Sequence, residues 1–255
     1  MRPFGALVLL AVVISAQAAW AQSRPVAAPS DVRPGSITSE DVPYPHPTTY
    51  LPLTLYGQDV RMAFMDVQPA GTPNGHTIVL FHGNNFAGFY FGGIIEALRK
   101  EGFRVVAPDQ IGYGRSSKPI IPYNLNDMAR NTRQILQSLK IGRAMVIGHS
   151  MGGMLATRFA TQYPEIVERL VLYNPIGLVD QRFTRPAGSV DEAYRQTLAA
   201  TYPSVKAALM RYVAHDESKW TPEFEQYWWS LTNPDGTTRP AYDALLAART
   251  TGVLP

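Results

Sequence analysis

The chain has 255 residues, of which 45% are hydrophobic and 17% are charged, and it contains no cysteine. This composition excludes a disulfide-stabilised scaffold, a collagen-like repeat and a disordered chain, and it predicts a globular protein with a buried core. The absence of cysteine also excludes thiolate chemistry and sulfur-ligated zinc sites, and a net charge of +3 is too small to indicate a nucleic-acid groove.

Residues 1–21 have the layout of a secretory signal peptide. Arg2 precedes an apolar run, residues 4–14, and small residues follow up to Ala21. We expect cleavage after Ala21 and a secreted or periplasmic mature chain. A retained membrane anchor is the alternative, but the run is shorter than the roughly 20 apolar residues that span a bilayer, so we expect no stable membrane insertion. Residues 22–49, rich in Pro, Ala and Ser, are predicted to form an extended linker.

From residue 50 onward, predicted strands alternate with predicted helices. Asn124 is a typical N-cap at the start of one helix, and Gly142 follows its end. In chain order the elements are strands 50–55, 60–67 and 77–81, helix 89–100, strand 104–107, helix 125–139, strand 144–147, helix 152–163 and strand 169–173. This order predicts an α/β sheet that becomes parallel after an N-terminal hairpin, with helices on both faces. Such sheets place their functional residues at the carboxyl ends of the strands.

The first polar segment at such an end is Gly148-His149-Ser150-Met151-Gly152-Gly153. A serine on a sharp strand-to-helix turn is presented as a nucleophile, the glycines allow close backbone packing, and the helix N-terminus lies beneath developing negative charge. The segment therefore predicts a nucleophile elbow with Ser150 as the nucleophile. An ordinary glycine-rich turn is the alternative. His149 is expected to pack rather than to act as a base, because neighbouring side chains diverge on so sharp a turn.

The second segment, Phe81-His82-Gly83-Asn84-Asn85, follows the strand 77–81. Acyl transfer needs an oxyanion hole, in which two backbone N–H groups converge on the developing charge. The N–H groups of Asn84 and Met151 fit these two roles, because one follows this strand and the other follows Ser150. His82 is expected to hold the loop through hydrogen bonds. A simple turn is the alternative, since Asn is a common turn residue.

The third segment, residues 107–119, includes Gly112-Tyr113-Gly114. It does not fit a dinucleotide-binding loop, because Ser117 occupies the position of the third glycine and no helix begins there. Asp109 is predicted to organise this loop through backbone hydrogen bonds. A role for Asp109 as the third member of a catalytic triad is the alternative.

Together the three segments resemble the α/β-hydrolase superfamily, in particular its lid-bearing branch with a serine nucleophile, and the likeness covers residues 50–179. Epoxide hydrolases and haloalkane dehalogenases of this branch have Asp where this chain has Ser150. The resemblance implies an α/β-hydrolase core, Ser150 as the nucleophile, and Asn84 with Met151 as oxyanion donors. It further implies a serine hydrolase of small or medium apolar esters, amides or activated carbonyl compounds, acting through an acyl-Ser150 intermediate.

The C-terminal part departs from the family pattern. Family members continue past the lid through two further strands, whose loops carry the acid and then the histidine, whereas residues 180–255 indicate only a helical lid. His215, the one histidine after Ser150, and Asp180 both fit exposed loop positions better than triad positions. The acid and the base therefore stay unassigned, and we expect the chain to be a truncated sequence. The alternative function is a non-catalytic or vestigial binding protein that lacks the triad base.

Aromatic residues of the predicted lid fit either a roof over an apolar pocket or a packed core; they are Phe224, Tyr227, Trp228, Trp229 and Tyr242. The histidine spacing matches no metal-binding motif, and neither a metal nor an organic cofactor is predicted. The predicted partner is a small apolar substrate, with no nucleic acid, and the oligomeric state is left open.

Overall fold

The computed structural model describes residues 36–178 and, further along the chain, residues 189, 191–192, 195–196, 199–222, 224–225 and 227–228. The predicted signal peptide and the first part of the predicted linker lie outside these residues, as do Asp180, Trp229 and Tyr242. Within the described residues, no helix combines the length and the apolar character needed to cross a membrane.

A six-stranded sheet forms the centre of the fold, with the strand order β1-β2-β4-β3-β5-β6. The strands are β1 (Thr48–Leu55), β2 (Gln58–Val67), β3 (Thr77–Phe81), β4 (Arg104–Pro108), β5 (Ala144–His149) and β6 (Val167–Tyr173). The hairpin β1–β2 and the pair β2–β4 are antiparallel, and the pairs from β4 through β3 and β5 to β6 are parallel. The predicted α/β sheet that becomes parallel after a hairpin is therefore confirmed.

The hairpin turn is shorter than the gap between the predicted strands 50–55 and 60–67, because the second strand begins at Gln58. It consists of Tyr56 and Gly57, whose φ angles are 50° and 74°. Two residues with positive φ match the right-handed twist of the flanking strands, and this allows so short a connection.

The α-helices that lie wholly within the described residues are α1 (Gly92–Lys100), α2 (Leu125–Ser138), α3 (Met151–Gln162) and α4 (Tyr202–Met210). Asn124 caps α2 as predicted, because its side chain accepts the Asp127 N–H at 2.9 Å. The helix predicted from Phe89 begins instead as a 3-10 turn, Gly88–Phe91, before α1. The side chains of α2 and α3 pack on one face of the sheet and those of α1 on the other, so the predicted two-sided arrangement is confirmed.

β6 forms one edge of the sheet within the described residues and is poorly covered there. Leu170 is 38% exposed and Val171 is 46% exposed, although consecutive strand residues point to opposite faces. Tyr173 at the end of the strand is 51% exposed. Both faces of this edge strand therefore present apolar surface.

The last part of the predicted linker packs against the sheet domain. Val42 is buried, and the Tyr44 hydroxyl donates to Asp109 Oδ2 at 2.6 Å. The Arg115 guanidinium lies 4.0 Å from the centre of the Tyr44 ring and donates to the Val42 carbonyl at 2.8 Å. These contacts hold residues 42–44 as an extended segment across the loops that follow β3 and β4.

Candidate active site

Ser150 occupies a sharp turn between β5 and α3. Its φ and ψ angles are 55° and −120°, a conformation that costs a non-glycine residue about 1–3 kcal/mol. Backbone hydrogen bonds hold it there: its N–H donates to the Tyr173 carbonyl at 3.2 Å, and its carbonyl accepts from Gly153 at 2.9 Å and from Ile176 at 3.1 Å. The side chain makes no capping bond to α3, although it stands at the N-cap position. The backbone is therefore fixed while the hydroxyl is left for other partners.

The glycines around Ser150 are required by close backbone contacts. A Cβ atom at Gly148 would lie 2.1 Å from the Gly152 carbonyl oxygen, and one at Gly152 would lie 2.1 Å from the Phe81 carbonyl oxygen. A Cβ atom at Gly153 would lie 2.5 Å from Pro175 Cβ. The turn therefore packs directly against the end of β3, which brings the first and second predicted segments together.

The loop after β3 passes beside Ser150. Phe81 and Gly148 are paired in the parallel ladder, and a Cβ atom at Gly83 would lie 3.2 Å from Ser150 Cβ. Asn84 follows in this loop, and Met151 is the first residue of α3, whose N–H has no partner within the helix. The two residues predicted as oxyanion donors thus belong to segments that meet at Ser150.

His82 holds the loop after β3 and is fully buried. Its Nδ1 lies 2.8 Å from the Gly83 carbonyl oxygen, and its Nε2 accepts the Gln110 N–H at 2.9 Å. This pattern requires a neutral ring with the proton on Nδ1, and it occupies both nitrogens. The predicted structural role of His82 is confirmed.

His149 is tied to the same loop through Tyr90. The Tyr90 hydroxyl accepts the Gly83 N–H at 3.1 Å and shares a hydrogen bond of 2.9 Å with His149 Nδ1. Burial lowers the pKa of His149, and burial raises the pKa of Tyr90. A neutral, hydrogen-bonded His149 agrees with the predicted packing role.

We expect the stability of the protein to depend on the protonation of His149. Because its pKa in the folded state is lowered from 6.5, the stability that neutral His149 contributes is present above pH 6.5 and is lost as the pH falls through the lowered value. Melting temperatures between pH 5 and 8 should therefore fall less steeply for His149→Gln than for the wild type. Ser138→Ala, which removes no titratable group, is the control and should follow the wild type. Parallel curves for His149→Gln and the wild type would refute the expectation.

Asp109 ties three segments of the chain together. Its carboxylate accepts the Gly88 N–H at 2.6 Å, the Arg115 N–H at 2.8 Å and the Tyr44 hydroxyl at 2.6 Å. Burial raises the pKa of Asp109, and these donors oppose that rise. The predicted role of organising the loop is confirmed. No local sequence pattern identifies Tyr44, which lies far away along the chain in a proline-rich stretch.

Tyr113 is a residue of the site that the sequence analysis missed. It is buried, its hydroxyl donates to Asn84 Oδ1 at 3.0 Å, and the same oxygen lies 3.7 Å from Met151 Sδ. Its ring packs edge-on against His82, with 5.1 Å between the ring centres. The flanking glycines, Gly112 and Gly114, were considered only as part of a dinucleotide-binding loop, which the sequence excludes.

We name the described residues between 199 and 228 the cap segment. The Tyr227 hydroxyl donates to the Asn85 carbonyl at 2.5 Å, so the cap segment is bonded to the loop that carries Asn84. Tyr227 and Trp228 are 2% and 5% exposed and pack on aromatic rings of that loop and the following turn. Of the two interpretations of the aromatic residues, this burial favours a packed core for Tyr227 and Trp228.

A cavity of about 310 Å³ lies between the cap segment, residues 43–45 and the start of α1. Its lining is mostly apolar and includes Tyr44, Phe89, Tyr90 and Phe224. The Tyr90 ring borders this cavity, while its hydroxyl reaches the Gly83 and His149 atoms beside Ser150.

All five histidines of the chain fall within the described residues. No hydrogen bond joins any of these imidazoles to Ser150 in that part of the structure. His215 is exposed in a turn, with a φ of 62°. The described residues also contain no cluster of three or more His, Asp or Glu side chains that could hold a metal ion. The base and the acid are therefore still unassigned.

Comparisons with known proteins identify the family of this chain. A family model for the alpha/beta hydrolase fold matches residues 76–226. A probable hydrolytic enzyme from Pseudomonas aeruginosa PAO1 has a crystal structure that superposes with a TM-score of 0.73 and 37% sequence identity, over 87% of this chain and 72% of that chain.

Two curated relatives are similar over shorter lengths. An uncharacterized protein of Mycobacterium bovis (strain ATCC BAA-935 / AF2122/97) is 37% identical over 105 residues, which are 41% of this chain and 30% of the relative. The 2-hydroxy-6-oxononadienedioate/2-hydroxy-6-oxononatrienedioate hydrolase of Burkholderia vietnamiensis (strain G4 / LMG 22486) is 36% identical over 122 residues, which are 46% of this chain and 40% of the relative. The chain thus spans less than half the length of either relative.

The family match covers more than half of the chain, and it includes all three segments at the carboxyl ends of the strands. The order and direction of the strands agree with it, as does the turn that carries Ser150. The chain belongs to the α/β-hydrolase family.

Proposed function

We propose that the protein is a serine hydrolase of small or medium apolar esters, amides or activated carbonyl compounds. The observation that carries this proposal is the conformation of Ser150, held at positive φ between β5 and α3 and directly beside the loop that contains Asn84. Such strain persists only where the surrounding structure imposes it, and it is found preferentially at functional sites. Family membership and the named hydrolase among the relatives support the same reaction class.

In the proposed reaction, Ser150 Oγ attacks the carbonyl carbon of the substrate. The carbonyl oxygen becomes an oxyanion, which the N–H groups of Asn84 and Met151 and the N-terminus of α3 would stabilise. Collapse of this intermediate expels the protonated alcohol or amine and leaves an acyl-Ser150 ester, which water then hydrolyses. A base must take the Ser150 proton during the attack, and we assign no residue to that step.

The apolar preference is proposed from the surroundings of the site. The cavity lined by Tyr44, Phe89, Tyr90 and Phe224 presents aromatic surface, and the Tyr90 hydroxyl links its wall to the Gly83 backbone. Aromatic side chains bury much apolar area, so a cavity of this kind favours an apolar group over a charged one.

We also propose that residues 1–21 direct export of the protein to the periplasm or the medium. The support is the sequence layout of one basic residue, an apolar run and small residues up to Ala21. Amino-terminal sequencing of the exported protein should begin at Gln22. A mature protein that retains Met1 would contradict the proposed cleavage.

Fluorophosphonate labelling tests the proposed nucleophile. We expect the folded product of the whole reading frame to be modified once, at Ser150, and to hydrolyse p-nitrophenyl butyrate. Ser150→Ala should abolish both, because no other group replaces the attacking oxygen. Ser138→Ala, which removes a hydroxyl bonded only to the Ile135 carbonyl at the end of α2, should react like the wild type. A folded wild type that is not labelled and does not hydrolyse the ester would reject the proposal.

The second candidate is a non-catalytic binding protein of the same fold. The observation that favours it is that no histidine of the chain hydrogen-bonds to Ser150 within the described residues. In that case the folded protein should bind an apolar ester, measured by calorimetry, and release it unchanged.

A further inference from the structure

The two predicted oxyanion donors come from separate loops, and Tyr113 is the side chain that reaches both residues. Its hydroxyl donates to Asn84 Oδ1 at 3.0 Å and lies 3.7 Å from Met151 Sδ. Asn84 follows β3 and Met151 follows β5, so one phenol bridges the ends of two neighbouring strands. We propose that Tyr113 is a positioning residue that fixes Asn84 relative to Met151 and thereby sets the geometry of the oxyanion hole. This inference rests on the proposed function.

Tyr113 is itself held firmly. The flanking glycines have φ angles of 93° at Gly112 and 50° at Gly114, which bend the chain sharply on either side of it. Its N–H donates to the Gln110 carbonyl at 2.9 Å, and its buried ring packs edge-on against His82. Because the Tyr113 phenol is fixed in this way, its hydrogen bond can hold the Asn84 side chain in one position.

The loop of Tyr113 is in turn anchored to the sheet through Ser116. The Ser116 hydroxyl donates to the Asp109 carbonyl at 2.6 Å and accepts the Ala63 N–H of β2 at 2.7 Å. The third segment therefore has a role that its sequence pattern did not indicate. It places the Tyr113 hydroxyl against Asn84 in the loop after β3.

We call the Tyr113–Asn84 hydrogen bond the tether. Its loss is expected to affect the transition state more than substrate binding. Oxyanion donors must lie about 2.7–3.1 Å from the developing charge, and removal of one donor lowers kcat by about 10²–10³. Tyr113→Phe would leave both donors present but would release Asn84, so we expect a smaller loss of about 10-fold in kcat with KM nearly unchanged. The rate of phosphonylation of Ser150 should fall by a similar factor.

Tyr123→Phe is the matched control. The Tyr123 hydroxyl is also buried and donates to a backbone carbonyl, that of Pro119, at 2.7 Å, and its ring lies against Gly112 in the same region. Loss of that hydroxyl removes a buried hydrogen bond from the same region and leaves the Tyr113–Asn84 hydrogen bond in place. We expect its kcat to stay within twofold of the wild-type value.

Asn84→Ala cuts the same tether from its other end and keeps the backbone N–H. It should lose about as much kcat as Tyr113→Phe, and the double variant should lose no more than either single variant, because both changes remove the same Tyr113–Asn84 hydrogen bond. Additive losses would overturn the inference. Melting temperatures of all variants show whether each remains folded.

NMR reports on the positions of Asn84 and Met151 without depending on turnover. The backbone amides of Asn84 and Met151 and the Met151 methyl group can be followed by NMR in the wild type and the variants. Tyr113→Phe should shift and broaden these signals, and Tyr123→Phe should not. Wild-type kcat or unchanged signals in Tyr113→Phe would overturn the inference and leave the proposed function intact. A folded wild type without hydrolysis or labelling would overturn the proposed function, and the NMR signals would then decide the positioning role alone.

Discussion

Gly152→Ala is expected to destabilise the protein by more than about 3 kcal/mol, a large fraction of the roughly 5–15 kcal/mol by which most domains are stable. The added Cβ would lie 2.1 Å from the carbonyl oxygen of Phe81, 2.6 Å from its carbonyl carbon and 2.7 Å from the His82 carbonyl oxygen. These are backbone atoms at the end of a central strand, so no side-chain rotation relieves the overlap. Relief requires β3 and α3 to move apart, which would break the ladder between β3 and β5.

Gly93→Ala supplies the comparison. Gly93 lies in α1, and a Cβ atom there would have no neighbour within 4 Å. Because alanine is the better helix former, this variant should gain up to about 1 kcal/mol. Urea unfolding followed by tryptophan fluorescence measures both changes, and a Gly152→Ala midpoint at or above the wild-type value would refute the packing argument.

Asp109→Asn is expected to cost about 2–4 kcal/mol, although the two side chains have nearly the same shape. Both carboxylate oxygens accept hydrogen bonds: Oδ1 accepts from Gly88, and Oδ2 accepts from Tyr44 and Arg115. The amide group has one acceptor oxygen and directs N–H donors at the remaining partners, so at least one buried donor loses its acceptor. The N-terminal segment and the loops after β3 and β4 should loosen together.

Asp59→Asn is the control for this change. Asp59 is exposed and accepts a hydrogen bond from the Thr54 hydroxyl at 3.0 Å, which an amide oxygen can also accept. Its free energy of unfolding should lie within about 0.5 kcal/mol of the wild-type value. Limited proteolysis adds a local readout, because Asp109→Asn should be cleaved faster within residues 36–47 than the wild type. Equal rates would contradict the argument that Asp109 holds this segment through Tyr44.

The site residues that could be predicted are those with local signals. Ser150 lies between a strand and a helix that are adjacent in sequence, and its flanking glycines are consequences of the same turn. Asn84 and His82 follow a strand whose apolar run is unmistakable. Asn124 was predictable as a cap because its partner, Asp127, is three residues away.

The parts that could not be predicted depend on partners that are distant in sequence. Tyr44 lies in a proline-rich stretch, and only the folded chain shows that its hydroxyl meets Asp109. Tyr113 meets Asn84 and Met151, which come from two other loops. Helical spacing identified Tyr227 as part of an aromatic face, but spacing does not tell which surface the face covers. In each case the missing information is a contact between residues that lie far apart in the sequence.

The exposed apolar side chains of β6 affect the concentrations at which the protein can be studied. Within the described residues β6 is an edge strand with apolar side chains on both faces, and an edge strand of this kind is a template for pairing with a second copy. Such pairing is bimolecular, so it grows with protein concentration, whereas the internal bonds around Ser150 and Asp109 do not. Dilute solutions therefore suit measurements of the site, and concentrated stocks favour assembly through Leu170, Val171 and Tyr173.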